Sequence, residues 1–214
     1  HHYVHQHSKR EASTFWAGSG AIRRDIFLQL GGFDSDYASP SVEDIELGVR
    51  LRRASHRIWL CADVQVTHLK YWELSTLLRS DIFDRAVPWT RLILSNAELP
   101  SDLNLDTKSR FSAIAVWASV LFFALGFWIH WAWMGTVLCV LALALLNIDL
   151  YRFFARRGGI MFAMGAFGLH TLYFLYSSLV FGVMLGAHLM RNAVGLKRAV
   201  RKGNVVVEET HHVR

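Results

Sequence analysis

The chain has 214 residues, 53% of them hydrophobic and 19% charged, with a formal net charge of +6. That is too apolar for a disordered protein and long enough for one or two domains. Residues 1–105 carry 12 Lys and Arg against 13 Asp and Glu, net −1, whereas 106–214 carry 11 against 4, net +7. The basic excess therefore lies beside apolar segments, which argues against nucleic acid as a partner and for a lipid bilayer.

The opening run HHYVHQH reads as a solvated loop or tag with no catalytic role, and the chain starts inside a sequence pattern, so a fragment of a longer protein is expected. Phe15–Ile22 (FWAGSGAI) reads as a strand, and residues 23–30 as a short helix stopped by Gly31 and Gly32. Asp34-Ser35-Asp36 has the spacing of a metal motif but falls in a turn. Ser41 opens a helix to about Ser55, with Ile45, Val49 and Arg52 at helical spacing, and residues 57–66 read as one or two strands. The first 105 residues thus predict an α/β unit with a modest core.

Glu43 and Asp44 carry the chemistry of this unit. Ser41-x-x-Asp44 fits a capping box, and acids in a helix's first turn are favoured by its dipole. The same placement offers an exposed carboxylate at the mouth of an α/β sheet, where a general base can meet a hydroxyl. Residues 74–94 read as an interfacial helix with Trp89 as anchor and Arg79 and Arg91 near headgroups. Cys61 and Cys139 read as small buried hydrophobes and not as a disulfide or zinc framework.

Phe111–Ile129 is a 19-residue run without a charge, nearly enough at about 1.5 Å per residue to cross a hydrocarbon core of about 30 Å. His130, Trp131 and Trp133 make an interface-like break, and Ala132–Leu146 returns as the second arm of a hairpin. Arg152, Arg156 and Arg157 put the return end, and with it residue 105, in the cytoplasm by the positive-inside tendency. Ile160–Met190 spans 31 residues and reads either as one tilted crossing or as a bent, re-entrant hairpin. Its His170 is expected to hydrogen-bond to a neighbouring helix.

The run from FWAGSGAI to THLKYW contains a GG-F-D turn, the Glu43-Asp44 pair, an L-x-x-R-L-R-x-A helix, a strand and a later His. Over roughly residues 12–95 it resembles the C-terminal half of the catalytic domain of family 2 inverting glycosyltransferases with the GT-A fold. The resemblance implies a partial GT-A α/β fold over 1–105, followed by an all-α transmembrane region over 106–214 with helices near 111–129, 131–150 and 160–190 and a basic tail. It implies Asp44 as catalytic base, deprotonating an acceptor hydroxyl as it attacks the anomeric carbon of a nucleotide-sugar, with Glu43 as its tuning neighbour.

By the same resemblance His68, 24 residues after Asp44, matches a position that ligates a divalent metal or contacts the diphosphate. Mg²⁺ or Mn²⁺ would neutralise that leaving group, with its main ligands in a D-x-D motif upstream of this chain. Asp34-Ser35-Asp36 lies downstream of where that motif belongs. Processive synthases carry Q-x-x-R-W after the base, whereas Arg85-Ala86-Val87-Pro88-Trp89 keeps the Trp alone, which argues against processive polymerisation. Arg85 and Trp89 could still contact diphosphate and acceptor sugar, since Arg forks onto phosphate and an indole face packs on sugar C–H groups.

The resulting expectation is a multi-pass cell-membrane glycosyltransferase acting at the cytoplasmic face, with a nucleotide-sugar donor and a lipid-linked or membrane-associated acceptor. The alternative is a non-catalytic membrane protein whose degenerate domain of that kind binds a partner or lipid. A transporter built from the apolar half is remote, because no acid–base pair lines it.

Overall fold

The computed structural model describes residues 10–37, 42–67, 69, 71–96 and 106–210. Strand β1 (Glu11–Ala12) leads through a 3-10 turn (Ala17–Ser19) to helices α1 (Arg24–Gln29) and α2 (Glu43–Arg53), then to strand β2 (Ile58–Trp59). A longer rod follows: α3 (Leu74–Arg79), a π-helical segment (Ser80–Ala86) and α4 (Val87–Asn96). The apolar half forms α5 (Thr107–Leu125), α6 (Ala132–Leu146) and α7 (Ile148–Thr210).

This corrects the expected fold class. The described residues are mostly helical, with one two-stranded sheet and no substantial GT-A-like α/β domain. β1 and β2 are antiparallel, Glu11 opposite Trp59 and Ala12 opposite Ile58. The strand predicted over Phe15–Ile22 gives way to the 3-10 turn, because the Ala17 N–H that a ladder would use donates to Asp44 instead. Of residues 57–66 only Ile58–Trp59 forms strand, and next to it the Leu60 N–H donates to the Arg10 carbonyl at 2.8 Å. Arg10 and Arg57 flank the Trp59 ring, their guanidinium carbons 5.4 and 5.3 Å from its centroid.

α2 organises the polar half because it is apolar on two sides. Leu47 and Leu51, one turn apart, pack with Phe15 against Ile26, Phe27 and Ile58. Val42 and Ile45 pack on the other side with Leu92, against Tyr37, Val49 and Trp89. Gly48 lets the helix approach the extended segment before it: a Cβ there would lie 2.6 Å from the Phe15 nitrogen. Arg50 ties α2 to the end of α1, donating to the Leu30 and Gly32 carbonyls at 2.6 and 2.8 Å while forking onto Glu46 at 2.6 to 2.9 Å.

α5 and α6 form the expected hairpin, joined by a turn in which Phe123, Phe127 and Trp133 meet edge to face at 5.0 to 5.6 Å. Inside it Asn147 Nδ2 donates to the fully buried Ser112 hydroxyl at 2.9 Å. α7 is broken once, at Gly159, where φ of 81° and ψ of 175° suit a residue without Cβ. Its two arms fold back on each other, bringing Phe154 to Phe162 and Tyr151 to Phe167. The break thus precedes 160–190 and does not bend it. His170 makes its hydrogen bond across this fold, Nδ1 lying 2.8 Å from the Tyr151 hydroxyl.

Two helices, Thr107–Leu125 and Ile148–Val194, are long and apolar enough to cross a membrane. α6 has 15 residues, about 22 Å of helix, and is shorter than a hydrocarbon core of about 30 Å. The second cysteine, Cys139, is half-buried in α6, but Cys61 is exposed, against the expectation of a buried hydrophobe; the short β2 leaves no sheet to cover it.

Candidate functional site

The site is built around the first turn of α2. Val42, not Ser41, is the N-cap residue, and it makes no side-chain cap bond. Ser41, and with it the expected Ser41-x-x-Asp44 capping box, lies outside the described residues. Asp44 Oδ1 accepts the Ile45 N–H at 2.8 Å, and its Oδ2 reaches across to accept the Ala17 N–H at 2.8 Å. The carboxylate therefore joins α2 to the 3-10 turn and is fixed in direction by two backbone donors.

Partial burial raises the Asp44 carboxyl above the usual range; the Ala17 hydrogen bond opposes this, and the nearby negative charge of Glu43 adds to it. A carboxylate so placed is a stronger base than one in water. Each of its oxygens keeps a lone pair beyond the one given to an amide, so it can still take a proton from a hydroxyl. Glu43, half-buried beside it, has the geometry of a neighbour that tunes the base.

Trp89 and Arg85 lie one turn apart on the α3–α4 rod but are engaged differently. Trp89 packs with Val42 and Ile45, the residues on either side of the Glu43-Asp44 pair, so α4 supports the site from beneath. Its Nε1 is buried and has no acceptor among the described residues. Arg85 turns away, donating to Asp81 Oδ1 at 2.8 Å, with its guanidinium carbon 5.7 Å from the Trp72 ring centroid. The other oxygen of Asp81 accepts the Tyr176 hydroxyl of α7 at 2.8 Å. Asp81, 16% exposed, thus links the rod to the apolar half.

The π-helical segment has a cause in the sequence. Pro88 lacks an N–H and its ring crowds the carbonyl four residues before it, so the helix widens just ahead of it; the Val87 N–H reaches back five residues to Ile82. That wide turn carries Asp81 and Arg85. The sequence signal that could have joined Asp81 to Tyr176 is a hydroxyl and a carboxylate in apolar surroundings, each needing a partner.

His68 lies outside the described residues. Asp34 Oδ1 accepts the Asp36 N–H at 2.9 Å, which makes Asp34-Ser35-Asp36 a turn, as its position suggests. Among the described residues no three His, Cys, Asp or Glu side chains gather as a cation site. The described residues do not fit a divalent metal. No protein-family model, curated protein or solved structure matches the chain.

Proposed function

We propose that the chain serves sugar transfer from a nucleotide-sugar to a hydroxyl or phosphate of a membrane-associated acceptor, with Asp44 as the base. One observation carries this reading: a half-buried carboxylate of raised basicity, aimed by two backbone amides, sits on a module tied by Asp81 and Tyr176 to helices that can cross a membrane. Asp44 takes the acceptor proton as the acceptor oxygen attacks the anomeric carbon from the face opposite the leaving diphosphate. One such displacement inverts the configuration, and a single base suffices. Glu43 keeps Asp44 basic, and Trp89 supports the turn that holds both.

The diphosphate's growing charge would be met by a divalent cation on ligands other than those described, and Arg85 would reach phosphate only by leaving Asp81. The apolar half would cross the membrane several times, with Arg152, Arg156 and Arg157 and the polar half on the cytoplasmic side. Two-sided backbone bonding of Asp44 also favours a second reading, in which the carboxylate is purely structural and the module binds without reacting.

The test uses membranes containing the full-length protein and a panel of labelled UDP-, GDP- and dTDP-sugars. Label should move to a membrane-bound product with inverted anomeric configuration. Retained configuration, or no transfer from any donor by protein that is folded, would overturn the proposal and leave the binding module.

A further inference from the structure

The contacts of α7 fix the direction of its second arm. His170 meets Tyr151 just beyond the end of α6, Phe174 packs with Val116 of α5, and the Ser178 hydroxyl accepts the Trp117 indole N–H at 2.8 Å. The arm therefore runs the same way as α5, towards the α5–α6 turn. At about 1.5 Å per residue Gly126 lies about 15 Å beyond Val116 and Arg191 about 26 Å beyond Phe174, so Arg191 emerges at or past that turn. Trp128 and Trp131 in the turn are 78% and 79% exposed, as suits aromatic side chains at headgroup level. From there the helix continues to Thr210.

Residues 191–202 hold five cations, Arg191, Lys197, Arg198, Arg201 and Lys202, and no acid. On a helix of 3.6 residues per turn the five fall within an arc of about 140°, with Leu196, Ala199 and Val200 opposite them. Helical neighbours do not neutralise this face. Asp149 is the last acid before it and Glu208 the next after it, so no acid stands three or four residues from any of the five. The turn at this end, residues 126–131, has none either. Glu98 and Asp102, outside the described residues, precede α5 and are joined to its other end, about 28 Å from the turn. Asp81, which the polar half brings to α7, meets Tyr176 about 22 Å before Arg191, more than two Debye lengths at physiological salt.

We propose that residues 191–202 rest on anionic phospholipid headgroups at the membrane face of the α5–α6 turn. The inference rests on the membrane-spanning part of the proposed function and not on sugar transfer. A basic helix continuous with a crossing helix is held within reach of headgroups, and its apolar face suits the boundary between headgroups and acyl chains. Each cation near an anionic surface strengthens binding by about fivefold. A nucleic acid would match the cations but leave Leu196, Ala199 and Val200 without an apolar partner. Headgroup phosphates also explain a second basic cluster on the face away from Arg152, Arg156 and Arg157.

The test uses full-length protein with Cys61→Ser and Cys139→Ser, carrying an environment-sensitive fluorophore on Ala199→Cys, in phosphatidylcholine nanodiscs with and without phosphatidylglycerol. Phosphatidylglycerol should shift the emission to the blue and reduce quenching by acrylamide, and about 0.5 M salt should reverse both without any change to the helix. Lys197→Gln, Arg198→Gln, Arg201→Gln and Lys202→Gln together should abolish the phosphatidylglycerol effect. In sealed vesicles with the polar half outward, dithionite should bleach a nitrobenzoxadiazole label on Cys61 at once and one on Ala199→Cys only after detergent is added. Equal spectra in the two lipids, an effect that survives salt or the four Gln substitutions, stronger protection by an added oligonucleotide than by phosphatidylglycerol, or immediate bleaching at both sites would overturn the proposal. Failure of the protein to insert would overturn it together with the membrane reading; absence of the lipid effect in inserted protein would overturn the headgroup contact alone.

Discussion

Asp44 and Arg50 do opposite jobs on the same helix. Arg50 is a structural clamp, its guanidinium donating to two carbonyls beyond α1 and to Glu46. Arg50→Lys keeps the charge but loses the fork, and should cost about 1–3 kcal/mol in unfolding free energy, read by urea denaturation. Asp44 is held against its own preference, because partial burial disfavours its charged form. Its carboxyl is raised on folding, so the folded state binds its proton more tightly than the unfolded chain. Its contribution to stability is then full below the ordinary value of 3.8 and is lost as pH rises through the raised folded value. Asp44→Asn should flatten the fall in thermal midpoint between pH 4 and pH 7 relative to wild type; parallel curves would show that the carboxyl is not raised.

Between elements, the decisive contact is the one that joins the α3–α4 rod to α7. Tyr176 and Arg85 share the two oxygens of Asp81, and four residues further along the rod Trp89 packs under the first turn of α2. A double-mutant cycle with Asp81→Asn and Tyr176→Phe should give a coupling of about 0.5–2 kcal/mol in detergent unfolding. Additive effects would mean that the hydroxyl and carboxylate do not support each other. Elements of this kind differ in how far the sequence shows them. α2 is legible because Ile45, Val49 and Arg52 stand at helical spacing behind an acidic first turn, and α5 and α6 because the runs 111–129 and 132–146 carry no charge. The strands over 15–22 and 57–66 are not, because alternation and β-branched residues predict a strand without saying whether a partner exists. Here the Ala17 amide bonds to a side chain 27 residues away, and that long-range choice bends the segment into a turn. Trp89 and Asp44 are visible by type and spacing, but the diversion of Arg85 to Asp81 is not, because it depends on the wide turn ahead of Pro88 and on a tyrosine 95 residues from Asp81.

For the whole molecule, two native cysteines report its division between solvents. Cys61 is exposed in the polar half, and Cys139 is half-buried in the apolar helix α6. In sealed vesicles with the polar half outward, a membrane-impermeant maleimide should label Cys61 at once and Cys139 only after detergent is added. Equal labelling of both would place α6 in water and not in a bilayer. Whether Asp44 is the base of a sugar transfer at a membrane is read from nucleoside diphosphate release from the donor that the full-length protein uses, comparing wild type with Asp44→Asn in the same membranes. The rate should fall about 10²–10⁴-fold with the variant still folded. An unchanged rate from a correctly folded Asp44→Asn protein would remove Asp44 from that role.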